Sequence, residues 1–195
     1  MCDLFNKKLN EHLAVVQKIT ADNELKKKIY MVGEEIIQAI ENGNKILLFG
    51  NGGSAADCQH IAAEFVGRFK RERQGYPAIA LTVDTSILTS VSNDYSFDRV
   101  YERQIEALGC ENDIAIGIST SGQSKNVLLA LKKAKEMKLK TVMLCGEKTS
   151  SFDSDIIIPV PSDKAEFVQE SHIIIGHFWA DYVEKGLELS HKTIK

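Results

Sequence analysis

A short apolar run that breaks on glycines and continues as a helix constrains this chain more than any other feature. Residues 46–49, ILLF, are typical of a buried parallel strand; GNGGS follows at 50–54, and a helical pattern runs over 55–69. Glycine lets a backbone approach a ligand closely, and a helix start offers free N–H groups. The turn therefore suits an anion. Such a turn also occurs without any ligand, and its spacing matches neither a dinucleotide fingerprint nor a P-loop.

The alternation of strand and helix continues towards the end of the chain. The pattern predicts strands at 78–83, 113–118, 141–145 and 155–160, and helices around 99–108, 125–137 and 165–189. Short strands separated by helices predict a parallel sheet covered on both faces. Ligands of such sheets collect at the carboxyl ends of the strands. We expect residues 1–195 to form a single α/β domain.

Two further helices are predicted before the first strand. Residues 3–42 carry apolar side chains at helical spacing, interrupted at Ala21-Asp22-Asn23, where Asp22 or Asn23 is a suitable N-cap. A sheet of this size does not need both helices. The N-terminal extension of residues 1–42 could pack on the domain or provide an oligomer contact, and the sequence supports both interpretations equally.

Charge and cysteine content limit the classes of partner. Lys and Arg number 24 against 27 Asp and Glu, a net charge of -3, so no basic field favours nucleic acid or a membrane surface. A small-molecule partner is expected. The four cysteines lack metal-binding or disulfide spacing, and the N-terminus does not have the pattern of a signal peptide, so we expect a cytoplasmic protein.

A second loop carries an unusual number of hydroxyl groups. In ISTSGQS, residues 118–124, the hydroxyls of Ser119, Thr120, Ser121 and Ser124 lie between a predicted strand and a predicted helix. Hydroxyl and backbone donors at a helix N-terminus suit a phosphate group. Serine and threonine also occur there for capping alone, but one cap does not require four hydroxyls.

Two predicted helices carry side chains able to transfer protons or bind a metal. His60 and Glu64 are four residues apart and share a helix face, while Gln169 and His177 lie two turns apart on the last helix. If both helices line one pocket, two imidazoles, a carboxylate and an amide oxygen meet there. That set fits four-coordinate Zn²⁺. His60 could also simply pack or bind water beside a proton-transferring pair.

Several separated motifs resemble those of bacterial phosphoheptose isomerases, which belong to the sugar isomerase (SIS) family. They are GNGGSAADCQHIAAEF, VSNDYSFDRVYERQIEALG, ISTSGQS and VQESHIIIGH, spread over residues 45–185. The resemblance implies a three-layer, flavodoxin-like sandwich with a five-stranded parallel sheet, and a homotetramer with active sites between subunits. It also implies conversion of D-sedoheptulose 7-phosphate, a phosphorylated seven-carbon sugar, to D-glycero-D-manno-heptose 7-phosphate. That product would enter ADP-heptose or GDP-heptose synthesis for lipopolysaccharide or capsule.

The resemblance also assigns roles to individual residues. It makes Glu64 the base and His177 the acid of an enediolate mechanism, and some family members carry zinc at the positions of His60, Glu64, Gln169 and His177. Two departures bear on substrate choice: Phe167 stands where arginine is usual, and the loop 147–155 is short and lacks the usual glycines. The implied substrate-binding residues are Asn51, Gly52, Gly53, Glu64, Asn93, Asp94, Ser119, Thr120, Ser121, Ser124 and Gln169.

Two other functions compete with the isomerase. A non-catalytic SIS adaptor, similar to the replication-initiator-binding proteins of this fold, would keep the phosphate site but is expected to lack the pair Glu64 and His177. A nucleotide-dependent Rossmann enzyme would need a fingerprint that the glycine turn does not have, so no nucleotide cofactor is expected.

Overall fold

The computed structural model describes residues 2–148 and 152–193, so part of the 147–155 loop, residues 149–151, lies outside the described residues. No helix within this part of the chain is long and apolar enough to cross a bilayer. The elements, in chain order, are α1 (Cys2–Ala21), α2 (Asn23–Glu41), β1 (Ile46–Gly50), α3 (Gly53–Val66), β2 (Ala78–Ala80), α4 (Thr85–Asp94), a 3-10 helix (Phe97–Arg99), α5 (Val100–Leu108), β3 (Ile114–Ser119), α6 (Lys125–Glu136), β4 (Lys140–Gly146), β5 (Ile156–Val160) and α7 (Ala165–Thr193).

The five strands form one parallel sheet in the order β2-β1-β3-β4-β5, which confirms the predicted fold class. Strand β2 lies on one side of β1, and the later strands β3, β4 and β5 follow one another on the other side. A crevice forms at such a switch point, outside the carboxyl ends of the two central strands. Since Gly50 is paired with Ile118, the glycine turn and the hydroxyl-rich loop leave the sheet side by side.

Alternating side chains of the strands form two separate cores. On β1, Ile46 and Leu48 point into the core shared with α2, α3 and α7, whereas Leu47 and Phe49 point into the core shared with α5 and α6. All four side chains are fully buried. The strands therefore have apolar side chains on both faces, as a sheet covered by helices on both sides requires.

The two N-terminal helices differ in how much they contribute to these cores. Asp22 caps α2 by accepting the N–H of Leu25 at 2.9 Å, as predicted, and α2 packs closely on α7, where Trp179 donates to the Ile29 carbonyl at 2.8 Å. In contrast, α1 buries Val15 but leaves a row of apolar side chains more than half exposed. These are Leu4, Phe5, Leu9 and Leu13, at 52–67% exposure.

Phe167, the departure from the family pattern, contributes to holding α1 in place. Its ring is almost completely buried and stacks on His12 of α1 at a centroid distance of 5.7 Å. His12 also contacts the Glu170 carboxylate at 2.6 Å, and the ammonium groups of Lys8 and Lys164 lie 5.2 and 5.4 Å from the Phe167 ring centre. At the position where the resemblance led us to expect arginine, this chain has an aromatic contact between α1 and α7.

Three local predictions were wrong. The helix predicted over 55–69 ends at Val66, because Arg73 binds the carbonyls at its C-terminus, and the strand predicted over 78–83 ends at Ala80. Helix α4 was not predicted at all. Its sequence, TSILTSVSND, is rich in β-branched and hydroxyl residues of low helix propensity, but Asp84 caps it by accepting the Ile87 N–H at 2.9 Å.

Candidate active site at the carboxyl ends of β1 and β3

The glycine turn after β1 is joined to the helix that follows β3. The amides of Asn51 and Asn126 exchange two hydrogen bonds, at 2.9 and 2.8 Å, so the turn is anchored to the first turn of α6. Gly52 has a φ of +55°, a conformation that favours glycine, and a Cβ added there would point into open space. The backbone of the turn is consequently accessible to a ligand.

The hydroxyl-rich loop after β3 brings its serines together. The Ser119 Oγ lies 2.9 Å from the Ser124 Oγ and 3.5 Å from the Ser121 Oγ. Ser124 is the N-cap residue of α6, yet its side chain makes no capping hydrogen bond. Capping therefore does not explain this hydroxyl. The Val127 N–H is bound by the Asn126 Oδ1 at 3.0 Å, which leaves the N–H groups of Lys125 and Asn126 in the first turn of α6 for an anion.

Helices α3 and α7 pack side by side and run in the same direction. Gly53 lies against the Gln169 amide, Ile61 against Gly176, and His60 next to His177, so contacts advance along both helices together. A Cβ on Gly53 would lie 2.0 Å from the Gln169 Nε2, so a larger residue there would displace the Gln169 amide from this position. The seam between the two helices leads from the glycine turn to the histidines.

Three of the predicted metal-binding side chains meet in this seam. The Nε2 atoms of His60 and His177 are 2.9 Å apart, and the Glu64 Oε1 lies 3.3 Å from the His60 Nε2. The three ligand atoms all lie within 4.8 Å of one another. Zinc bonds of about 2.0–2.2 Å place tetrahedral ligand atoms about 3.3 Å apart, so His60, Glu64 and His177 fit three positions of a zinc site. His60 is half exposed and Glu64 is mostly covered.

Other predicted residues lie apart from these three. Gln169 contacts Gly53 and is separated from His177 by about 12 Å of helix, so its role as a metal ligand stays a prediction. Asn93 and Asp94 end α4; they bond to each other at 3.0 Å and are exposed. No hydrogen bond in the described part of the chain ties either one to the hydroxyl-rich loop.

Sequence reasoning missed several residues of this region. Asn126 holds the glycine turn and is 3% exposed. Its position in the sequence, only two residues after the serines, was the signal that pointed to it. Asp57 lies between Gly53 and His60 on α3 and has a buried oxygen, Oδ2, without a hydrogen-bond partner; burial raises the pKa of this carboxyl, and His60 partly offsets the effect. Phe69, whose ring stacks on His177, gave no local signal.

His172 has a structural position. It is completely buried, its Nε2 lies 3.4 Å from the Cys145 carbonyl oxygen, and burial lowers the pKa of its imidazole to about 4. A histidine held neutral on the sheet side of α7 does not face the α3–α7 seam.

Comparison with known proteins shows the family of the chain. The SIS domain model matches residues 9–146. The phosphoheptose isomerase of Clostridium acetobutylicum is 48% identical over 189 residues, covering 96% of both chains, and that of Campylobacter jejuni is 47% identical over 189 residues, covering 95% of this chain and all of the relative. The chain belongs to the phosphoheptose isomerase family. Members of this family are sugar-phosphate isomerases, so the enzyme class predicted from the sequence is confirmed.

A solved structure supports the same assignment. The phosphoheptose isomerase of Neisseria gonorrhoeae superimposes with a TM-score of 0.87 at 36% identity, covering 94% of this chain and 98% of that one. The SIS match ends at residue 146, before α7, whereas these full-length relatives extend over it. Relatedness over the whole chain favours the isomerase over the non-catalytic adaptor.

Proposed function

We propose that this phosphoheptose isomerase converts D-sedoheptulose 7-phosphate to D-glycero-D-manno-heptose 7-phosphate. The observation that carries the proposal is the convergence of His60, Glu64 and His177 in a seam that begins at the glycine turn. The product would be used for ADP-heptose or GDP-heptose synthesis and hence for surface polysaccharide.

The reaction needs two proton-transferring groups, and the seam provides them. Exchange between ketose and aldose moves a proton between C1 and C2 through an enediolate, while a second proton moves between O1 and O2. We assign Glu64 to the carbon proton, because its carboxylate is within the seam yet still accessible to a ligand. We assign His177 to the oxygen proton. Its Nε2 lies on the same side as Glu64 and His60.

The phosphate group is assigned to the loop of Ser119, Thr120, Ser121 and Ser124. Serine hydroxyls and the N–H groups of α6 would bind it, with Asn51, Gly52 and Gly53 contacting the sugar or the phosphate. Seven residues of helix separate Gly53 from His60, a distance of about 10 Å. An extended seven-carbon sugar phosphate has comparable length, so its phosphate and its reacting carbons could occupy the two ends together.

Zn²⁺ is the proposed metal of the His60, Glu64 and His177 site, with Gln169 proposed as the fourth ligand. When bound, it would supply Lewis acidity towards O1 and O2 of the sugar. Because one Nε2 cannot bind the metal and transfer a proton at the same time, His177 would act as the acid only when it is released from the metal. The Glu64 carboxylate has two oxygens, of which Oε1 is the one that faces His60. We assign the second oxygen to proton abstraction, since a carboxylate that binds metal through both oxygens is a weak base.

We also propose a homotetramer whose subunits complete one another's sites. Helix α1 exposes four large apolar side chains, and α4 has no buried residue, which is unusual for a helix of a single subunit. Asn93 and Asp94, at the end of α4, would then contact substrate in a neighbouring subunit. Light scattering should give the mass of a tetramer for the wild type and a smaller mass for Leu9→Glu; an unchanged mass would exclude α1 from the interface.

The function is tested by incubating the protein with sedoheptulose 7-phosphate and following the aldose product by NMR. Glu64→Gln and His177→Gln should each lower kcat by roughly 100-fold to 10,000-fold, because each removes a proton-transferring group at similar size. Glu72→Gln, which changes an exposed carboxylate outside the seam, is the matched control and should keep wild-type turnover. No product with wild-type protein would refute the substrate; wild-type turnover in Glu64→Gln or His177→Gln would remove that residue from the mechanism.

A further inference from the structure

The segment between α3 and β2, residues 67–77, is held against α7 by a buried carboxylate. Glu184, whose side chain is 1% exposed, accepts the backbone N–H groups of Phe69, Lys70 and Arg71 at 2.8, 3.0 and 3.1 Å. Its Oε1 also accepts the Arg73 Nε at 3.0 Å. Burial by itself raises the pKa of Glu184, but these N–H donors and the Arg73 guanidinium together hold that pKa below its ordinary value.

Arg73 connects the same segment to the end of α3. Its Nη2 donates to the Glu64 carbonyl at 2.8 Å, and its Nη1 donates to the Phe65 and Gly67 carbonyls at 2.8 and 3.1 Å. The last carbonyls of a helix have no partners within the helix, and a cation there also interacts favourably with the helix dipole. The last turn of α3, which carries Glu64, is thereby tied to residues 67–77.

This arrangement places the Phe69 ring on His177. The two rings are stacked, with centroids 5.5 Å apart and planes inclined by 22°. His60 contacts the same imidazole edge-on, with centroids 5.1 Å apart. The His177 ring therefore has Phe69 over one face and His60 at its Nε2.

We propose that Phe69 is a positioning residue for His177, and that Glu184 and Arg73 hold Phe69 in its place. A histidine side chain can rotate about its Cβ–Cγ bond, and the stacked phenyl ring restricts that rotation so that Nε2 stays directed at His60 and Glu64. The proposal rests on the proposed acid role of His177. It adds a residue that does not contact the reacting atoms but fixes the geometry of one that does.

The test compares Phe69→Leu, which stays apolar but cannot stack, with Phe69→Tyr, which restores the ring. The energy of a stacked aromatic contact corresponds to a rate change of roughly twofold to tenfold. In Phe69→Leu, kcat with sedoheptulose 7-phosphate should therefore fall by that factor, with KM unchanged. Phe69→Tyr should restore kcat. Tyr30→Leu, which removes an aromatic contact between α2 and Phe178, the neighbour of His177 on α7, should leave kcat unchanged, because it does not touch the His177 ring.

A measurement independent of turnover distinguishes failure of this proposal from failure of the proposed function. The ring protons of His177, assigned by their loss in His177→Gln, are shielded by the stacked Phe69 ring and should move downfield in Phe69→Leu but not in Tyr30→Leu. Glu184→Gln, which loosens the segment that carries Phe69, should shift the same signals. His177 signals unmoved in Phe69→Leu, or a raised KM at unchanged kcat, would overturn the proposal.

Discussion

Replacing Gly176 by alanine tests whether the contact between α3 and α7 sets the geometry of the site. A Cβ on Gly176 would lie 2.6 Å from both Cδ1 and Cγ1 of Ile61, whereas carbon atoms in contact are normally about 3.5–4.0 Å apart. Ile61 is 1% exposed and cannot turn outwards, so α3 has to move away by about 1 Å. That movement would lengthen the 2.9 Å contact between His60 and His177.

The two consequences of Gly176→Ala should differ in size. Extra volume in a packed interior costs about 1–3 kcal/mol, and alanine in place of glycine within a helix gains about 1 kcal/mol, so the free energy of unfolding should fall by about 0–2 kcal/mol. A displacement of about 1 Å at reacting groups can lower the rate about 100-fold. We therefore expect a folded protein with a strongly reduced kcat, measured by urea unfolding and by the NMR assay.

A matched control and a compensating variant make this prediction decisive. Gly33→Ala places a Cβ 2.7 Å from the Tyr182 ring, a similar overlap on a different face of α7, and should affect stability without a comparable loss of kcat. Combining Gly176→Ala with Ile61→Ala removes the overlap and should recover kcat relative to Gly176→Ala alone. Wild-type kcat in Gly176→Ala would refute the reasoning that the close approach of the helices positions the histidines.

Three further predictions concern pH, phosphate and metal. Burial lowers the pKa of His172 to about 4, so the contribution of this residue to stability is complete above its ordinary pKa of 6.5 and is lost as the pH falls from there towards 4. The free energy of unfolding should therefore drop by about 1 kcal/mol between about pH 7.5 and 5.5 in wild type but not in His172→Leu. Equal drops in the two proteins would contradict this prediction. The double variant Ser119→Ala, Ser124→Ala should raise KM about tenfold or more with a smaller change in kcat. If inorganic phosphate protects the wild type and the double variant equally against heat, the serines only cap the helix and do not bind phosphate. Treatment with a chelator should abolish activity, and added zinc should restore it. His60→Ala should lower the zinc content measured by mass spectrometry, whereas His12→Ala should not. Full activity of the metal-free protein would refute the zinc proposal while leaving the roles of Glu64 and His177 intact.

The order of strands and helices could be predicted from the sequence because it depends on local periodicity. Apolar runs such as 46–49 and 114–118 are long enough for strands only, and helical spacing of apolar residues marked α2, α6 and α7. The motifs also indicated the chemical character of both loops, since four hydroxyl groups are more than one helix cap requires. Helix α4 escaped prediction because its residues have low helix propensity and it is stabilised by its cap and by packing.

Only the tertiary structure decided which of these side chains meet. His60 and His177 are separated by most of the chain, and their 2.9 Å contact depends on the parallel packing of α3 on α7, which close approaches at Gly53 and Gly176 make possible. Phe69 reaches His177 because Glu184, on α7 itself, binds the backbone of the segment that carries it. Sequence patterns report which face of an element is apolar, but the relative placement of two helices depends on how their side chains fit together.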